Sequence, residues 1–165
     1  MTALTIPERD PKLFNDYEGF VTHCKVAALI LNELGINSHT KHHIREAIRE
    51  ATHKISTRKG GHKKNVDFIS LDAKKQLDTG MLDNLVSEHI VTVSFINEQV
   101  LNRFIENIEK ITVEEITEIL LKWTVRALVT KAEDFRLGAT NRVKDFSNPM
   151  IRYEMVNPPI RLTTF

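Results

Sequence analysis

The run Leu85-Val86-Ser87-Glu88-His89-Ile90-Val91-Thr92-Val93 decides how this chain is read. Its density of β-branched side chains suits a pleated strand and crowds a helix. The spacing therefore predicts strand over Leu85 to Phe95, with an acid and an imidazole adjacent in it. A second short strand is expected at Thr124 to Thr130, T-V-R-A-L-V-T. Thr130 and Glu133 then stand three apart, the capping-box spacing that opens a short helix, T-K-A-E-D-F-R-L.

Outward from this centre the pattern is helical. From about Pro11 to Leu34, residues Leu13, Tyr17, Phe20, Cys24, Ala27, Ala28, Leu31 and Leu34 recur at helical spacing, and Gly35 stands at a C-terminal cap position. Asn37 to Thr40 offers caps for a second helix. In it Ile44, Ala47, Ile48, Ala51 and Ile55 form an apolar stripe opposite Arg45, Glu46, Arg49 and Glu50. These two segments predict an antiparallel hairpin over 11–58. A basic loop and connector spans 59–84, with a short helix expected at Ala73 to Leu77. Ile96 to Ile108 has helical periodicity, and Thr112 with Glu115 opens another capped helix through Trp123. The tail over 138–165 carries Pro149, Pro158 and Pro159, which predict extended chain laid over the domain.

Composition sets the outer bounds. The 165 residues, 41% hydrophobic and 27% charged, suit one folded domain and leave disorder to the ends. Cys24 is the single cysteine, so an intramolecular disulfide and a multi-cysteine zinc site are both excluded, and a reducing, cytoplasmic setting is expected. No stretch matches a membrane span or a signal peptide, so the expectation is a protein without a membrane partner. The net charge of +1 conceals a division. Lys54 to Lys64 holds five cations and no acid, whereas Asn97 to Glu118 holds six acids against Arg103 and Lys110. The two segments are expected to face different partners.

Strand with Glu88-His89, intervening helices, second strand, then a helix starting with acids resembles the ββα-metal arrangement of HNH-type nucleases. Members often carry acid-His-Ile/Val-x-Pro on the first strand; here it is Glu88, His89, Ile90, Val91, Thr92, with threonine in place of proline. The resemblance covers about residues 83–137, with an acidic helical insertion, and Asp134 takes the place of the last ligand, commonly histidine or asparagine. It implies an α+β, predominantly α-helical fold in which the N-terminal hairpin accompanies a small ββα-metal-like unit over 85–137. It further implies a DNA endonuclease with Glu88 and Asp134 as ligands of Mg²⁺ or Mn²⁺ and His89 as general base. Carboxylate oxygen suits a hard dication, and a near-neutral imidazole suits proton removal from water.

The glycines of K-I-S-T-R-K-G-G-H-K-K let backbone approach phosphate, and Arg58, Lys59, His62, Lys63 and Lys64 are the candidate nucleic-acid contacts. The loop lacks Walker spacing, which argues against ATP hydrolysis. Each candidate also has a plain structural role: Glu88 a strand acid, His89 a half-buried histidine, Glu133 a capping residue, Asp134 a first-turn acid favoured by the helix dipole. His39, His42 and His43 read as a solvated helix start rather than a zinc site, with His53 too far along the helix to join them. The rival to the nuclease is a noncatalytic helical interaction module or accessory subunit, binding another protein or a second copy. A third reading is a DNA-binding regulator that does not cleave.

Overall fold

The computed structural model describes residues 6–56, 65–140, 148 and 150–165. The candidate phosphate contacts Arg58, Lys59, His62, Lys63 and Lys64 lie outside the described residues. The fold is α+β with helices dominating, and the chain forms two compact units, each assembled from segments distant in sequence.

The first unit is helical and comprises Glu8–Arg58 and Thr92–Thr124. A 3₁₀ turn at Pro11–Leu13 precedes α1 (Tyr17–Leu34), which starts only after Asp16 accepts from the Gly19 N–H at 2.9 Å. The expected helix is therefore shorter at its front, because Asp16 supplies a stronger start than Pro11. Gly35 ends it at φ 66°, left-handed backbone that a glycine adopts at no steric cost. The expected hairpin is present, with α1 packed on α2 (Thr40–Lys54). Two further helices, α4 (Val93–Glu106) and α5 (Val113–Trp123), complete this unit.

Its core joins Phe20, Cys24, Ala27 and Leu31 of α1 with Ile44 and Ile48 of α2, Ile96 and Val100 of α4, and Ile116 and Leu120 of α5. Each is an apolar group withdrawn from water, and those the size of Leu or Ile contribute roughly 1.5–3 kcal/mol apiece. Asn32 fixes the approach to α5 by donating to the Ile111 carbonyl at 2.8 Å and accepting from its N–H at 3.0 Å.

The second unit comprises Met1–Pro7, Lys59–Val91 and Val125–Phe165. Its sheet has strand order β2-β3-β1-β4, with β1 (Phe68–Ser70) parallel to β3 (Arg126–Thr130), and β2 (Leu85–His89) and β4 (Leu162–Thr164) antiparallel at the edges. After β1 comes α3 (Leu71–Asp78), and after β3 comes α6 (Lys131–Gly138). Ile69, Ala73, Leu85 and Leu128 pack together with Val66 and Leu77 on one face of the sheet.

Three expectations are corrected here. The strand over Leu85 to Phe95 stops at His89, because the Thr92 side chain accepts from the Phe95 N–H at 3.3 Å and caps α4. A hydroxyl cap overrides the β-branched run. The tail is not wholly extended: the five-residue helix α7 (Ile151–Met155) fits between Pro149 and Pro158, and β4 joins the sheet. Among the described residues no closed ββα-metal-like unit forms, because β3 is shared with β1 and the β2–β3 pair belongs to a mixed four-stranded sheet.

Candidate functional site

Glu88 is the fourth residue of edge strand β2, paired across the ladder with Ala127 of β3, and His89 is paired with Arg126. Successive side chains of a strand point to opposite faces, so the two members of the motif are separated by the sheet itself. Glu88 belongs to the face covered by α6 and α7. His89 belongs to the other.

On the Glu88 face the deciding side chain is Arg152, from α7, 3% exposed. Its Nη2 donates to Glu88 Oε1 at 2.8 Å. Its Nη1 donates to the carbonyls of His89 at 3.0 Å and Ile90 at 3.2 Å, and its Nε donates to Thr140 Oγ1 at 3.4 Å. One guanidinium thus ties the end of β2, the region after α6 and the C-terminal segment together. The fork geometry of arginine makes this possible; a lysine could not reach the same set.

Burial pushes the Glu88 carboxyl above its ordinary value, Arg152 pulls it back by charge and hydrogen bond, and the charge of Asp134 pushes it up again. Tyr153, next to Arg152, is 1% exposed and its phenol is raised well above the usual value, chiefly by burial and then by the charge of Glu88. Glu88 Oε2 and Tyr153 Oη are buried and have no hydrogen-bond partner among the described residues. The structure therefore brings Glu88 and Asp134 into electrostatic reach of each other and leaves His89 on the opposite face.

Asp134 is a half-buried first-turn acid of α6. Its neighbour Glu133 is the capping residue expected from the spacing. Glu133 is 4% exposed, and its Oε2 accepts from the Thr130 N–H at 2.8 Å and from the Ser70 hydroxyl at 2.7 Å. The Ser70 oxygen in turn accepts from the Ala73 N–H at 3.0 Å, capping α3. One carboxylate so serves the N-termini of two helices, where helix dipoles favour negative charge.

Glu88 already answers a guanidinium, and among the described residues no group of three or more His, Cys, Asp or Glu side chains is placed to hold an ion. His39, His42 and His43 are exposed at the start of α2, with the rings of His42 and His43 edge-to-face at 5.5 Å. That is the solvated helix start their spacing suggests.

Sequence reasoning missed Arg152. It lies in a proline-flanked tail, and the one signal pointing to it was that an acid in an apolar strand needs a cation which the nearby sequence does not supply. Compared with protein-family models, with curated proteins and with solved structures, the chain matches none.

Proposed function

We propose that this protein is a noncatalytic interaction module or accessory subunit that works by binding another protein chain through its helical unit. The observation that carries this reading is the run Val26-Ala27-Ala28-Leu29-Ile30-Leu31 in α1, six consecutive apolar residues on a helix. Ala27, Ala28 and Leu31 enter the core of the helical unit, whereas Val26 and Leu29 remain 40% and 62% exposed. Two exposed apolar side chains three residues apart on the outward side of an otherwise core-forming run form a small apolar patch suited to a partner's surface. The commitment of Glu88 to Arg152 supports the noncatalytic half of the reading.

A divalent-metal-dependent DNA endonuclease of HNH type is the second reading, favoured by the reach of Asp134 to Glu88. Two measurements decide between them. Supercoiled plasmid is incubated with the full chain and Mg²⁺, Mn²⁺ or chelator, and a photo-crosslinking amino acid placed at Leu29 is activated in an extract of the source cell. The expected result is no metal-dependent nicking and a defined protein–protein crosslink. Metal-dependent nicking that Glu88→Ala abolishes, with no crosslink of any mass, overturns the proposal.

A further inference from the structure

We infer that the outward face of α1 packs against the same face of a second copy of this chain, antiparallel, with Leu29 at the two-fold axis. The inference rests on the interaction reading above and names its partner. The face is built from Thr22, Lys25, Val26, Leu29 and Glu33, all exposed. On one side the face is bounded by Asn32, whose side chain is already engaged by Ile111.

The charges on this face choose the occupant. Lys25 stands four residues before Leu29 and Glu33 four residues after it, so both flank the same apolar centre, one turn below and one turn above. A helix laid antiparallel about Leu29 brings Lys25 of one copy to the level of Glu33 of the other, and the two-fold repeats the pair at the opposite end. A parallel arrangement would set Lys25 against Lys25 and Glu33 against Glu33. The surface is thus complementary to itself in one orientation only, the condition for an isologous dimer. An anionic membrane is a poor match, because such surfaces select a basic flank and this one carries Glu18 and Glu33 beside a single lysine.

A single helix pair buries less than the roughly 1,200–2,000 Å² of a standard stable interface, so the association is expected to be concentration-dependent. Sedimentation of the full chain from about 1 to 300 µM at low salt reads it directly, over the range in which weak complexes dissociate. The expected result is a monomer–dimer equilibrium. Leu29→Glu, at an exposed position that leaves the circular dichroism spectrum unchanged, abolishes it. Lys25→Glu and Glu33→Lys each weaken it about tenfold, and the double exchange Lys25→Glu with Glu33→Lys restores it to within about threefold, since reciprocal charge pairs set orientation.

A wild type that stays monomeric throughout overturns the inference, as does a double exchange no better than the single variants. A crosslink from position 29 at twice the chain mass supports the second copy. A crosslink at another mass, with a monomer in sedimentation, assigns the face to a different protein: the second copy is then excluded while the interaction reading stands. Metal-dependent nicking in the same preparation removes that reading instead.

Discussion

The Ser70 hydroxyl donates to Glu133 Oε2 at 2.7 Å, joining the first residues of α3 to those of α6 through one buried carboxylate. Because β1 and β3 are parallel neighbours, their C-terminal ends emerge side by side, and both following helices need their free N–H groups satisfied there. Glu133 completes the capping box of α6 and orients the cap of α3 at once.

Glu133→Ala is accordingly expected to cost about 2–4 kcal/mol. A lost cap contributes about 0.5–2 of this, and a buried hydroxyl and N–H left without partners contribute the rest. Ser70→Ala should cost less, since the Thr130 cap survives. Chemical denaturation of both variants checks the order; a Glu133→Ala chain as stable as wild type would show that water replaces the carboxylate at both helix starts.

Arg152→Met is expected to destabilise by about 3–5 kcal/mol, because it leaves the Glu88 charge buried without its counterion. Adding Glu88→Gln to that variant should recover part of the loss, the neutral amide being cheaper to bury. The pH dependence has a definite sign. The fold raises the Glu88 carboxyl above its unfolded value, so its proton is held more tightly in the folded state. The contribution of that proton is fully present below the unfolded value and lost as pH rises through the raised folded value. Thermal melts from about pH 4 to 7 should show wild type losing stability relative to Glu88→Gln as pH rises. Parallel curves would remove Glu88 from the linkage.

Cys24 is fully buried in α1, and burial pushes its thiol up to about 11, with a hydrogen bond to Thr117 opposing the shift. Thiolate is the reacting species, so alkylation of the native protein near pH 8 should be slower than that of the denatured chain by at least about a hundredfold. Equal rates would mean that the helical unit opens readily.

Much of the fold was legible because it is written in local terms. The hairpin of α1 and α2 follows from apolar residues at helical spacing, and the starts of α5 and α6 follow from Thr112 with Glu115 and Thr130 with Glu133, groups only three residues apart. Gly35 as a C-terminal cap is likewise a property of one residue. Thr92 shows the limit of such reasoning. Its β-branching predicts strand, whereas its hydroxyl starts a helix, and both are permitted until the following residues find a core to bury Phe95 and Ile96.

The sequence by itself determined the helical majority, the two capping boxes and the presence of strands through Glu88-His89 and before Thr130, since period, cap and β-branching act over a few residues. Only the tertiary structure decided that β1 enters between β3 and β4, that Glu88 and His89 face opposite ways across the sheet, and that Arg152 answers Glu88 from 64 residues away. A three-residue strand carries too little pattern to be read alone, and an ion pair between distant segments leaves no local trace. Desolvation is the physical reason they matter nonetheless: once Glu88 is withdrawn from water, a buried cation must meet it, and which residue supplies that cation is a property of the folded chain.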